Sequence, residues 1–382
     1  MKHIRYIKAG WILLLAVLVL GVSIITPAAA SNKTIHQTTQ TAHQAAATSI
    51  NLNFYIATAH LKTMVQSNIN SQVPASVNSA ITSMINTLPK QDQGWAYLMA
   101  TTLIQPSATL VSLAPQKNGF AMTLRLSLYP GDPKPTTASM LISFSVLNST
   151  TAQVSASPLN GPTLVNGPVG TFKIPLGTLN KVTGTPNCGA AALDLNLQYP
   201  VALGQAQSSS QVQQVAANTS NSRNFLTSHV ATKTLNADDV NSFVEITAAT
   251  LSTLGNTIST MPLGNGLTAE NFRISVQKPD IAITSDIYWN GLNIGNAVTT
   301  MALSASGGRM VVHVVSTTLN IFGFISFPMN SYNAQTEQTL NAKLGNAFTG
   351  VFDVAAAGIG PNSQLTCAAQ NSLVLSGSAV LG

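Results

Sequence analysis

Charge is what this chain has least of. Asp, Glu, Lys and Arg make up 7% of its 382 residues, against about 25% in an ordinary soluble domain. Of the 17 basic side chains, Lys2, Arg5 and Lys8 fall in the first eight residues. Without them the surplus over the 11 carboxylates shrinks from six to three. No Lys/Arg cluster stands in the rest of the chain, which argues against nucleic acid as a partner. Disorder is excluded on other grounds. Hydrophobic residues reach 45%, and disordered chains combine low hydrophobicity with high net charge.

Catalytic text is missing too. There is no G-x-S-x-G, H-E-x-x-H, P-loop or Rossmann glycine run. His36 and His43 lie in a polar stretch, His313 alternates outward in "RMVVHVV", and His60 and His229 have no evident partner. Asp280 and Asp286 flank a strand, but acid–base hydrolysis needs carboxylates opposed across a cleft. The expectation is a protein that is not an enzyme, with no cofactor and no metal. Cysteine is scarce as well, only Cys188 and Cys367.

What the chain does have is a basic start, an apolar run over residues 9–26 and the A-x-A sequence "AAAS". These are the parts of a secretory signal peptide over residues 1–30. An uncleaved anchor is the alternative, since 18 apolar residues approach the length of a span. Either places the remainder outside the cytoplasm, secreted or tethered. Polar stretches at 31–49 and 205–236 read as a spacer and a linker.

Between and after them the text repeats. "VNSAITSMINTL" from Val77 puts Val77, Ile81, Met84, Ile85 and Leu88 on one helical face. "VNSFVEITAATLSTL" from Val240 does the same with Val240, Phe243, Val244, Thr247 and Leu251, after an Ala237-Asp238-Asp239 cap. Each copy goes on through an alternating strand, a hairpin, a Pro-bearing strand, and a cysteine followed by a last strand. The expected fold class is α+β. It has two similar modules, residues 50–204 and 237–382, each a curved antiparallel sheet on one or two helices. Two cysteines at matching places in related modules come close near a pseudo-twofold axis, so a Cys188–Cys367 disulfide is expected; separate buried thiols are the alternative.

The strands carry apolar rows. "GFAMTLRLSLY" places Phe120, Met122, Leu124, Leu126 and Leu128 on one face. Met140, Ile142, Ile281, Ile283, Ile287, Met301, Met310 and Val312 extend such rows in the other strands. Flexible methionines among them suit irregular apolar guests and fill ordinary cores equally well. The two readings are a ligand-lining surface and a packed interior.

Residues 240–254, 281–289, 297–316, 323–328 and 332–344 give, in turn, a helix, a strand, a hairpin around glycines, a Gly-to-Pro strand and a closing helix. This pattern resembles extracytoplasmic LmeA-like proteins of the tubular lipid-binding (TULIP-like) superfamily. The first half is similar through Gly170 to Pro175, with "LGTLNKVTGTPN" in place of the closing helix. The resemblance implies a long curved sheet wrapped on a helix, holding acyl chains between them. The expected function is non-catalytic binding of a lipid or other apolar small molecule, with contact to a membrane surface. The alternative is a structural or interaction protein of the cell surface with no ligand.

Overall fold

The computed structural model describes residues 48–127, 129–160, 167–173, 177–201, 240–256, 258, 260–264, 266–330, 333–344 and 352–379. The signal segment, most of the spacer, the linker and the Ala237-Asp238-Asp239 cap lie outside them. So do His36, His43, Leu128 and His229. Among the described residues no helix is long and apolar enough to cross a membrane.

The chain folds as an α+β protein dominated by three antiparallel sheets. The first half runs β1 (Thr48–Ala57), α1 (Thr58–Asn86), α2 (Lys90–Leu103), β2 (Ser107–Gln116), β3 (Gly119–Ser127), β4 (Thr136–Asn148), β5 (Thr151–Asn160), β6 (Gly167–Lys173), β7 (Thr178–Gly184) and β8 (Ala191–Val201). The second runs β9 (Ser242–Ile246), α3 (Ala248–Asn256), β10 (Met261–Gly264), β11 (Leu267–Gln277), β12 (Asp280–Trp289), β13 (Leu292–Ser306), β14 (Arg309–Ile321), β15 (Ile325–Pro328), α4 (Asn333–Leu344), β16 (Phe352–Ile359) and β17 (Leu373–Ala379).

Strands β2 to β6 form one meander and β10 to β15 another, each paired in sequence order. The central sheet draws on both halves in the order β16-β17-β9-β1-β8-β7. The first strand of each half meets the other across its middle, antiparallel, with Phe54 opposite Val244. The last strand of each half lies next outward, and the penultimate strand outside that.

The meanders attach to the central sheet in corresponding ways. Leu179 N–H at the start of β7 donates to Ser149 O in the β4–β5 turn at 2.6 Å, and Val354 N–H in β16 donates to Gly308 O in the β13–β14 turn at 2.8 Å. Gly184 permits a second close approach, because a Cβ there would overlap the backbone of Gln116 and Gly119 in the β2–β3 turn. Helix side chains cover the edge of β2 and the stretch of β14 that β15 leaves unpaired, which keeps these edges from pairing with other chains. On α1, Gln66 accepts from Leu110 N–H at 2.7 Å and donates to Ala108 O at 3.3 Å. On α4, Asn341 and Glu337 accept from Val312 and Val314 N–H at 2.7 and 2.9 Å.

Two sequence expectations need correction. The helix expected from Val240 is a strand up to Ile246, and the helix starts only at Ala248. All five residues of β9 are buried, because the strand is paired on both sides and covered on both faces. Such a strand shows no alternation, and its apolar residues fit a helical face by coincidence. The cap of α3 is Thr247, whose Oγ1 accepts from Thr250 N–H at 3.3 Å. The expected match between the two Val-Asn-Ser sequences therefore fails, since Val77 sits deep inside α1. That helix begins at Thr58, not at Val77, and carries Pro74 within it. The alternating segment interrupted at Pro279 is two strands, β11 and β12, with the turn at Lys278-Pro279.

Candidate functional site

The inward face of the central sheet carries Ile50, Leu52, Phe54 and Ile56 of β1, Leu193, Leu195 and Leu197 of β8, and Val244 and Ile246 of β9. Across from it the candidate residues Phe120, Met122, Leu124, Leu126, Met140 and Ile142 are all buried, in one cluster with that face and with Leu61, Ile69, Ile81 and Ile85 of α1. Phe120 pairs across to Ile142, and Met122 to Met140. A separate cluster under the second meander holds Ile281, Ile283, Ile287, Met301 and Val312 with Ala269 and Phe272. Met310 belongs with the first cluster. The structure thus divides the candidates between two interiors, by meander except for Met310.

An open groove of about 660 Å³ runs between α1 and β2. None of the candidates lines it. Its walls mix polar side chains, among them Lys62, Gln66 and Asn70, with Leu110 and Val111 of β2.

The outer end of the second meander has a different character. The inward row of β12 runs Ile281, Ile283, Ser285, Ile287, all buried, and its next position is Trp289, which is 53% exposed. Trp289 pairs with Leu267 and with exposed Leu292. On β14 Leu319, packed on the same cluster, pairs with exposed Phe327, and Ile321 pairs with exposed Ile325. The apolar interior of this meander continues into an uncovered apolar mouth.

The outward face of the central sheet is covered by two loops, 185–190 and 360–372. They are joined by the Cys188–Cys367 disulfide, with Cα atoms 4.9 Å apart, so the expected bridge is present. Ala190 N–H donates to Gln364 O at 2.7 Å, and Thr366 Oγ1 to Asn187 O at 3.2 Å. Gly189 has φ of +65°, and a Cβ there would lie 2.6 Å from Gln364 O, so only glycine fits this crossing.

Beneath these loops lies a polar cluster that the sequence did not announce. Glu245 is 3% exposed. It accepts from Tyr55 OH at 2.8 Å, Asn53 Nδ2 at 3.2 Å and Ala369 N–H at 2.7 Å. Asn53 in turn accepts from Asn196 Nδ2 at 2.8 Å. Asp194 faces Tyr55 across the strand pair, and its Oδ1 is buried with no hydrogen-bond partner among the described residues. Burial, and then the field of Glu245, push the Asp194 carboxyl up to about 7, against an opposing pull from Lys181. Burial, Asp194 and Glu245 also push the Tyr55 phenol well above its usual range. Three donors tie Glu245 to the fold, one of them from the disulfide-linked loop. That makes the cluster a clasp between sheet and loop.

The Asp194 shift sets a pH dependence. The native state holds this proton up to about pH 7, whereas an unfolded aspartate releases it near 3.8. The native state therefore binds more protons between those values, and stability falls as pH rises through that window. Asp194→Asn should remove this slope and be the more stable protein at pH 8, by an amount of order 2–4 kcal/mol. Urea melts at pH 4, 6 and 8 check it; parallel pH profiles for variant and parent would refute the assignment.

Other expected residues fall apart. His313 is exposed as expected, within 3.0 Å of Ser304 Oγ and 3.6 Å of Glu337. Burial lowers the pKa of His60. Asp286 pairs with Arg273 at 3.0 Å, and Asp280 is at the other end of the same strand. Among the described residues no group of three or more His, Cys, Asp or Glu side chains is placed to hold a metal.

Sheet order, covered edges and disulfide-clasped loops define a sheet-rich, antiparallel α+β protein. No family model matches the chain, and no curated protein is significantly similar to it. Among solved structures, the crystal structure of P47 of Clostridium botulinum E1 aligns over 87% of this chain and 100% of its own, at 7% identity and a TM-score of 0.23. A likeness at that level carries no argument about fold or function.

Proposed function

We propose that this is an exported, non-catalytic protein that binds a lipid or another apolar ligand, built from two similar modules. The carrying observation is the second meander, whose buried row Ile281, Ile283 and Ile287 runs out to exposed Trp289, Leu292, Ile325 and Phe327. Acyl chains contribute ~0.8 kcal/mol per buried CH₂, so a ligand held there needs no charged anchor, which fits a chain with so little charge. Two modules are supported by the mirrored order of the central sheet and the matching turn contacts of Ser149 and Gly308. They are supported too by the cysteine loop that precedes the last strand of each half. Export is supported by the disulfide, which persists in oxidising compartments. The tubular lipid-binding resemblance agrees with this reading.

A surface structural protein without ligand is the second reading. It is favoured by the close packing of the candidates, since Met122, Ile142 and Val312 are 0% exposed. Mass spectrometry of lipids extracted from the purified protein separates the two. Lipid in molar proportion to protein supports the first reading, and its absence supports the second.

A further inference from the structure

The second meander has two unlike ends. At one, the β11–β12 and β13–β14 turns carry Lys278, Asp280 and Arg309. At the other, three turns stand side by side: β10–β11, β12–β13 and β14–β15. There the exposed large apolar side chains are Trp289, Leu292, Phe322, Phe324, Ile325 and Phe327, with Phe324 79% and Phe322 62% exposed. No Asp, Glu, Lys or Arg occurs from Ile287 to Gly308 or from Met310 to Thr336. The nearest charges on the neighbouring strands are Glu270 and Asp286, opposite each other three residues in from Leu267 and Trp289; Asp286 is paired with Arg273, and Glu270 accepts from Thr268 Oγ1 at 3.4 Å.

The turn of β14–β15 holds a second clue. Phe322 has φ of +51°, a left-handed backbone that a bulky side chain adopts at a cost of order 1–3 kcal/mol. The ring then projects from the molecule, stacked on Phe324 with centroids 6.4 Å apart. The fold gains little burial from this conformation. What the conformation yields is a projecting aromatic pair.

We propose that this end of the second meander docks into the surface of a lipid bilayer. It deepens the apolar-ligand reading, and rests on it only for what the bilayer supplies. Entry into lipid is opposed by stripping water from charges and from unpaired backbone groups. The turns at this end carry no charge to strip, and they are already bonded. Asn290 N–H donates to Gly266 O at 2.9 Å, Phe322 N–H to Ile294 O at 2.9 Å, and Gly295 N–H to Asn293 Oδ1 at 2.9 Å. Tryptophan and phenylalanine beside asparagine amides suit the interface between acyl chains and headgroups. A protein partner would meet a flatter patch with a polar, charged rim; here the apolar groups are the tips of adjacent hairpins. Because no cation takes part, docking should be indifferent to anionic lipid and to salt.

The test uses the full chain and vesicles of brominated phosphatidylcholine, which quench tryptophan on contact. Trp11→Phe with Trp95→Phe leaves Trp289 as the only tryptophan, and Trp95→Phe with Trp289→Phe leaves Trp11 to report the N-terminal segment. Trp289 emission should shift blue and be quenched to the same degree with and without anionic lipid. Phe322→Ser with Phe324→Ser should weaken that quenching about tenfold or more, with an unchanged melting temperature because both rings are exposed. Unquenched Trp289 overturns the proposal whether or not Trp11 is quenched. Shielding of Trp289 by a co-purifying protein overturns it as well, in favour of a protein partner. Lipid extracted from a protein whose Trp289 stays unquenched would leave the ligand reading standing and remove only the docking.

Discussion

Leu124→Asn should destabilise the protein by about 4 kcal/mol or more, yet leave the lipid content of the folded fraction unchanged. Leu124 is 2% exposed, paired with Leu110 on one side and Ala138 on the other. Losing a buried leucine costs about 2–5 kcal/mol, and an amide buried without partners adds ~1–3 kcal/mol. Against a total stability of roughly 5–15 kcal/mol, that is enough to depopulate the native state on modest warming. Denaturant melts with lipid extraction measure both quantities. The converse pair, Ile325→Ser with Phe327→Ser, sits on exposed positions. It should move stability by less than about 1 kcal/mol and lower the bound lipid. A small effect of Leu124→Asn with loss of lipid would put the ligand under the first meander instead.

Cys188→Ser with Cys367→Ser should cost about 2–5 kcal/mol. The bridge joins residues 179 apart, and the chain-entropy model gives about 5 kcal/mol for a loop of that length. The effect reaches the clasp below. Ala369 N–H bonds to Glu245 from the bridged loop, so loosening the loop deprives a buried carboxylate of a donor. The parent protein in reductant should melt with the variant. A parent that melts unchanged under reduction, with its thiols shown to be free, would mean that hydrogen bonds alone hold the loops.

What the sequence disclosed was local. The alternation of Phe120, Met122, Leu124 and Leu126 marks β3, and Asn148 and Gly307-Gly308 mark the hairpin turns that the structure contains. Both cysteine loops precede a strand and meet in a bridge. What it concealed was non-local. Strand β9 is buried on both faces and so has no period of two. Its pairing with β1 joins residues some 190 positions apart, as in the Tyr55–Glu245 bond, and no periodicity in either segment announces that. Glu245 reads as a polar helix residue until the strand assignment turns it under the loops. Asp194 looks like any outward residue of an alternating strand until the loops cover it. The uncharged runs around Trp289 and Phe324 were plain in the text, but only adjacent turns show that they meet at one end.

The central claim is that an apolar ligand occupies the open end of the second meander. The measurement that tests it most directly is mass spectrometry of lipids extracted from the parent and from Ile325→Ser with Phe327→Ser, purified side by side. The account predicts acyl lipid in molar proportion to the parent protein and a marked loss from an equally stable variant. Lipid no higher in the parent than in an unrelated exported protein prepared the same way would contradict it.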